Sequence, residues 1–270
     1  MTLYTIFLLL SLCAGYAHSN QEELIIVING TSCAGKSTLT HALADALKEQ
    51  QFPVHECSAE ECFSMTLPHH ADRTWCVVHT DDIWEYICNQ EQGGDCWQQA
   101  IAKTAQYACY LADEGCSVIV DTSIIHEEDF ELFGDSRLYT ILVYAPLSVL
   151  CMRDEQRAEQ RHRPYHRKIV CRYHILECFK QMYRPAYAED VVIDCLEYTD
   201  LLSAAIIPES REQFLIDPHL HETLDDLFQY FDVDPLHACI KIAPSIAHDL
   251  IVFADEPIVE LLPDILLRLS

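Results

Sequence analysis

The sequence predicts an α/β fold: a mostly parallel sheet with helices on its faces, followed by a C-terminal helical appendage. Three observations predict it. Short apolar runs alternate with helical patterns from Leu24 to Leu196, as in parallel strands joined by crossover helices. The first run leads directly into a glycine-bracketed loop and then a helix. Beyond Leu196 the alternation gives way to apolar residues at helical spacing, which reads as helix.

Leu24–Asn29 (LIIVIN) is a buried strand, apolar and rich in β-branched residues. The next eight residues, Gly30-Thr31-Ser32-Cys33-Ala34-Gly35-Lys36-Ser37, satisfy G-x-x-x-x-G-K-[ST] in full. Thr38–Gln50, rich in Leu, Ala, Lys and Glu, is the helix that must follow. In that context successive loop amides and the positive end of the helix dipole face a polyphosphate. Lys36 reaches the β- and γ-phosphates, and the Ser37 hydroxyl takes a place on Mg²⁺. Residues Gly30 to Ser37, with Thr38 behind them, are therefore the candidate nucleotide site. The α/β prediction narrows to a P-loop NTPase three-layer sandwich.

The remaining elements follow in order. Gln51–Arg73 has no clean period and reads as an insertion or mobile flap; it contains Pro53, Pro68, His69 and His70. Thr74–Thr80 (TWCVVHT) is a second strand, ending in Asp81-Asp82. Trp97–Glu114 is a helix terminated by Gly115, and Cys116–Val120 is a third strand closed by Asp121. Leu138–Tyr144 is a fourth, followed by Pro146 and a helix to about Glu159 that continues to Tyr183. Val191–Asp194 is a short last strand. Residues 197–270 hold 15 acids and three basic residues, with Leu224, Leu227, Phe228, Phe231 and Leu261, Leu262, Ile265, Leu266 at helical spacing. Three segments result: a signal-peptide leader at 1–19, a core at 20–198, and an acidic helical extension at 199–270 that offers a surface for a protein partner.

Three features favour phosphoryl transfer over a nucleotide switch. Strand C-termini face the ligand crevice of a parallel sheet, so a carboxylate at Asp81 can orient and deprotonate an acceptor hydroxyl. Asp82 serves equally well as a helix cap. Asp121 closes an apolar strand and is the candidate Mg²⁺ carboxylate, together with Ser37. Arg153, Arg157 and Arg161 repeat every four residues, with Arg163 close behind. They either neutralise charge on the transferred group or pair with Asp154, Glu155 and Glu159 to fix the helix.

Charge separates the partners. The chain carries 43 acids against 17 basic residues, formally −26. Between Arg153 and Arg184 the segment is +5, leaving −31 on the rest. A field that negative repels long nucleic acid and anionic membrane. The stretch Met1–Ser19 has an apolar run and small residues towards its end, as in a secretory signal. Export is the expectation, with action in another cell's cytosol as the route to ATP and a cytoplasmic protein as the alternative. No later stretch is apolar enough to span a bilayer. Of 14 Cys, 13 follow the leader, with no C-x-x-C pair. They form neither a compact disulfide framework nor a zinc site. The 14 His show no metal spacing such as H-E-x-x-H.

Four segments resemble the chloramphenicol phosphotransferase-like P-loop kinases, relatives of the zeta toxins: IIVINGTSCAGKSTL, VVHTDDIWEYI, CSVIVDTSI and YAPLSVLCMRDEQRAEQR, with VVIDC near 191–195 resembling a final strand. The resemblance implies ATP and Mg²⁺ as cofactors and transfer of the γ-phosphate to a hydroxyl of a small molecule or protein. It also implies Asp81 as base and Arg153 and Arg157 as lid arginines. The acceptor is not fixed by it. A nucleotide or polynucleotide kinase and a nucleotide-controlled interaction protein are the competing readings.

Overall fold

The computed structural model describes residues 23–68, 74–90, 96–134, 136–207, 217–233, 239–254 and 257–269. The expected leader at 1–19 and the His69-His70 pair lie outside the described residues. The chain divides into two compact units. One takes residues up to Asn29, Gly35–Val143 and His248 onward; the other takes Gly30–Ala34 and Tyr144–Ala247.

The first unit is built on a six-stranded sheet. Its strands are β1 (Leu24–Asn29), β2 (Val54–Glu56), β3 (Trp75–His79), β4 (Ser117–Asp121), β5 (Arg137–Tyr144) and β9 (Leu250–Phe253), in the order β2-β3-β4-β1-β5-β9. The pairings β2–β3, β3–β4, β4–β1 and β1–β5 are all parallel. All six residues of β1 are buried. A central parallel strand covered on both faces needs such a continuous apolar run rather than an alternating one.

Helix α1 (Lys36–Glu49) buries Leu39, Leu43 and Leu47 with Thr40 and Ala44, one stripe at i, i+4 spacing. Helix α4 (Cys96–Asp113) does the same with Ala100, Ile101, Thr104, Ala105, Ala108, Leu111 and Ala112. It stops where the sequence says it should. Gly115 takes φ 89°, and Cys116 N–H reaches back to Leu111 C=O at 2.9 Å, a Schellman closure that a residue with a Cβ resists. Helix α10 (Ile258–Leu269) packs against α1.

The 51–73 segment departs from its expected irregularity. It supplies the edge strand β2 and a short helix, α2 (Ala59–Ser64). Ser58 Oγ accepts from Glu61 N–H at 3.2 Å, and Ser58 N–H donates to Glu61 Oε2 at 2.7 Å. This reciprocal capping box starts a helix that hydrophobic periodicity is too short to reveal.

The strand before Asp81-Asp82 also ends earlier than expected. β3 stops at His79, and Thr80, Asp81 and Asp82 form the first turn of α3 (Thr80–Gln90), where carboxylates suit the positive end of the helix dipole. A four-residue helix, α5 (Glu128–Glu131), follows β4.

The second unit is mostly helical. α6 (Leu147–Gln160) and α7 (Tyr165–Met182) are separate helices, not the continuous one expected through Tyr183. Pro164 is the reason: it has no N–H to give and clashes with the preceding turn. The chain turns at His162 (φ 49°), and Arg163 N–H closes on Ala158 C=O at 2.9 Å.

A three-stranded antiparallel sheet follows, β6 (Tyr183–Pro185), β7 (Asp194–Leu196) and β8 (Ile240–Pro244), in the order β6-β8-β7. The expected last strand of the parallel sheet at Val191–Asp194 is not one. Val191 and Val192 are 70% and 43% exposed, so their apolar run does not mark a buried strand, and pairing begins only at Ile193. Helices α8 (Tyr198–Ala204) and α9 (Pro218–Phe231) complete the unit. α9 buries Leu220, Leu224, Leu227 and Phe231, three of them at positions expected from spacing; the fourth expected position, Phe228, is only half-buried. No described helix is long and apolar enough to cross a membrane.

Candidate active site

The glycine loop leaves β1 at Asn29, whose buried side chain acts as a two-way clamp. Its Nδ2 donates to Ile124 C=O at 3.0 Å, and its Oδ1 accepts from Ile124 N–H at 2.8 Å. Thr122 N–H adds a bond to Ile28 C=O at 3.1 Å. The ends of β1 and β4 are thereby locked together.

Within the loop, Gly30 (φ 152°), Cys33 (φ 67°) and Gly35 (φ 107°) all take positive φ. Positive φ at the two glycines carries no Cβ penalty, and backbone of this kind suits the anion nest that a phosphate loop needs. Cys33 holds a left-handed conformation as a non-glycine residue, the kind of strain concentrated at functional loops.

At the start of α1, Gly35 is the N-cap, no side chain caps the helix, and no acid occupies the first turn. A helix start with no side-chain cap and no first-turn acid suits an external anion. Lys36 is half-buried, and Ser37 and Thr38 are exposed.

The carboxyl ends of three adjacent strands carry Glu56, His79 and Asp121. His79 and Asp121 are register partners. His79 Nδ1 lies 3.3 Å from Asp121 Oδ2, and His79 Nε2 lies 3.4 Å from Glu56 Oε2. Burial alone pushes the Asp121 carboxyl up. The His79 hydrogen bond, the Lys36 charge and the Ser37 hydroxyl outweigh burial and hold it below the usual carboxylate range. Burial likewise works against protonated His79, but Asp121, Asp82 and Glu56 together raise it.

Lys36, Ser37 and Asp121 are therefore brought together within the first unit. Asp81 stands outside this cluster; it is exposed on the first turn of α3 and makes no hydrogen bond or ion pair among the described residues. Asn29, Glu56 and His79 were not singled out by sequence. Asn29 and His79 each carried a weak signal, a polar residue closing an apolar strand.

In the second unit Arg153 grips the loop itself. Its Nη1 donates to Ala34 C=O at 2.8 Å and to Cys33 C=O at 3.2 Å. Arg157, one turn on, is exposed and makes no ion pair among the described residues. Arg161 caps the end of α6.

The pairing expected within the helix goes elsewhere. Arg163 binds Asp154 at 3.0 Å. Buried Arg172 of α7 takes Glu155 at 3.1 Å and the carbonyls of Ala204 and Ile206 at 2.5 and 3.3 Å. Asp154 and Glu155 of α6 thus bind Arg163 and Arg172 and fix the α6–α7 pair.

A model of the chloramphenicol phosphotransferase-like protein family matches residues 23–177, more than half of the chain. The chain belongs to that family. It is a nucleotide-binding P-loop kinase, and its fold is the expected α/β P-loop class.

A comparison with curated proteins finds no significant match. Among solved structures, the APS kinase CysC of Mycobacterium tuberculosis in complex with AMPPNP and APS is similar at 12% identity and TM-score 0.43, covering 93% of this chain and 100% of that one. A gluconokinase from Sinorhizobium meliloti 1021 is similar at 15% identity and TM-score 0.35, covering 93% and 95%. A shikimate kinase from Bacteroides thetaiotaomicron is similar at 13% identity and TM-score 0.36, covering 91% and 94%.

Proposed function

We propose that the chain moves the γ-phosphate of ATP to a hydroxyl of a small molecule or a protein side chain. The observation that carries this reading is the convergence of Lys36 and Ser37 on Asp121 beside an uncapped helix N-terminus.

In this reading the loop amides of Gly30 to Gly35 and the first turn of α1 hold the triphosphate, and Lys36 neutralises its β- and γ-oxygens. Ser37 and ionised Asp121 are hard oxygen donors and fit Mg²⁺, which takes few protein ligands and keeps water and phosphate oxygens. A Mg²⁺ held by Ser37 and Asp121 would supply neutralisation of the phosphate charge. Among the described residues no group of three or more His, Cys, Asp or Glu could hold a metal ion by itself, so Ser37 and Asp121 are proposed as a partial, phosphate-completed set.

Asp81 acts as general base. It accepts the acceptor's hydroxyl proton as that oxygen attacks the γ-phosphorus and ADP departs. Its exposure on α3 suits a residue that meets an acceptor arriving from solvent. Arg153 braces the loop through the Cys33 and Ala34 carbonyls and brings positive charge to it, and Arg157 extends that charge one turn along α6.

The test combines binding and turnover. Calorimetry with magnesium and a non-hydrolysable ATP analogue gives heat for the wild type and for Asp81→Asn, but not for Lys36→Ala. ADP release stimulated by candidate alcohols falls by about 10²–10⁴-fold in Asp81→Asn, the usual size of a lost general base. Undiminished transfer in Asp81→Asn refutes the base, and absence of nucleotide binding in the wild type refutes the site.

A further inference from the structure

The structure describes 13 free cysteines, and their exposure is uneven. Three are exposed: Cys88, Cys195 and Cys239. Each of the three sits beside another cysteine. Cys88 lies in the last turn of α3 and Cys96 is the first residue of α4, two helices packed on one another in the first unit. Desolvation and the neighbouring Cys96 push the Cys88 thiol up.

Cys195 is the middle residue of β7 and is paired in register with Lys241 of β8. Cys239 precedes Lys241 by two residues, so it falls on the same face of the second unit's sheet and diagonally adjacent to Cys195. Cys239 is also the leading cause that pushes the Cys195 thiol up.

The other cysteines differ. Cys57, Cys62, Cys76 and Cys116 are buried in the apolar core of the first unit. Hydrogen bonding with Cys116 and Cys57, together with burial, pushes the Cys76 thiol up; the Cys88 and Cys195 thiols are raised as well, so access to the reagent, not thiol acidity, sets the exposed pairs apart.

We propose that Cys88–Cys96 and Cys195–Cys239 are two disulfide-forming pairs, closed by exchange with a small disulfide of the oxidised-glutathione class. In each closure one protein thiolate attacks the small disulfide. It forms a mixed disulfide and releases one small thiolate. The neighbouring protein thiolate then displaces the second. The protein loses two protons and two electrons, and one small disulfide becomes two small thiols. The placement is selective because the exchange requires access: the exposed member of each pair meets the reagent, its neighbour resolves the adduct, and the core thiols stay reduced. Two such staples suit an oxidising compartment, and they are read by mass, independently of any kinase activity.

The experiment uses the full chain, folded and equilibrated in graded mixtures of oxidised and reduced glutathione. After acid quenching, the remaining thiols are alkylated in denaturant and the protein is cut without reduction. The expected products are two linked peptide pairs, one joining Cys88 to Cys96 and one joining Cys195 to Cys239, each lighter by two hydrogens. Cys57, Cys62, Cys76 and Cys116 carry the alkyl label. Cys88→Ser removes only the first link, and Cys195→Ser only the second. Persistent glutathione adducts at Cys88 or Cys195, links to other cysteines, or full alkylation at every ratio would each overturn the proposal. The wild-type peptide map decides the matter even where a variant does not fold.

Discussion

His79 and Asp121 face each other across the β3–β4 ladder, with Nδ1 of one 3.3 Å from Oδ2 of the other. The opposite ring nitrogen of His79 is 3.4 Å from Glu56, so the imidazole is held from both sides. A ring fixed in this way sets the direction of the Asp121 carboxylate, the Mg²⁺ ligand proposed above, and such supports are worth about 10–100-fold in affinity or activity. His79→Ala is expected to cost about 10–100-fold in magnesium-dependent turnover and to raise the magnesium concentration that half-saturates it. His79→Gln, which keeps an N–H donor, recovers part of the loss. Steady-state rates over a magnesium titration check this; an unchanged half-saturation point assigns His79 to folding alone.

The capping box of α2 makes stability pH-dependent on the acid side. Burial raises Glu61, but hydrogen bonds from the Ser58 backbone and hydroxyl, with His55, hold it below its ordinary 4.5. A depressed carboxylate contributes stability that is complete above its unfolded value and is lost as pH falls through the folded one. Glu61→Gln is therefore expected to flatten the acid limb of the stability curve. Ser58→Ala costs about 1 kcal/mol at neutral pH. Urea unfolding, followed from neutral pH down through the carboxylate range, measures both.

Arg172 and Arg157 lie in one basic segment and are expected to behave oppositely. Arg172 is 1% exposed and joins Glu155 to the carbonyls of Ala204 and Ile206. Removing one partner of such a buried network leaves the others uncompensated, so Arg172→Ala is expected to destabilise by about 3–5 kcal/mol. Arg157→Ala, on an exposed face, stays within about 0.5 kcal/mol. Chemical denaturation of the two variants separates them.

Closing Cys195 onto Cys239 restrains a loop of roughly forty residues in the unfolded chain, worth at most about 4 kcal/mol by loop entropy. Oxidised protein is expected to melt at higher temperature than reduced protein, and Cys195→Ser should shrink the gap to what Cys88–Cys96 contributes. Calorimetric scans with and without reductant report it.

The parallel core was legible because buried central strands must be continuous apolar runs: β1 has the expected limits of Leu24–Asn29, and β4 and β5 fall within a residue of theirs. The stop of α4 at Gly115 was legible for a backbone reason. What periodicity hides are elements too short to show a period. β2 and α2 are of this kind, although Ser58-Ala59-Glu60-Glu61 carried the capping signal in plain letters. The break at Pro164 was equally readable, but the density of arginine on both sides masks it as one helix. At the site, Lys36, Ser37 and Asp121 could be named because a motif and a strand end mark them. Glu56 and His79 could not, since their role depends on β2 and β3 lying side by side, a tertiary fact. The exposure of Val191 and Val192 is likewise invisible to a run of three apolar letters.

β9 comes from residues 250–253, yet it borders a sheet whose other strands all lie before residue 145. Asp249, just ahead of it, accepts from Thr140 N–H at 2.7 Å. During vectorial synthesis the growing polypeptide must wait through about a hundred further residues before that border is laid down, which at ribosomal speeds means a delay on the order of 5–20 seconds. Over that interval one flank of β5 is bare backbone, open to chaperones.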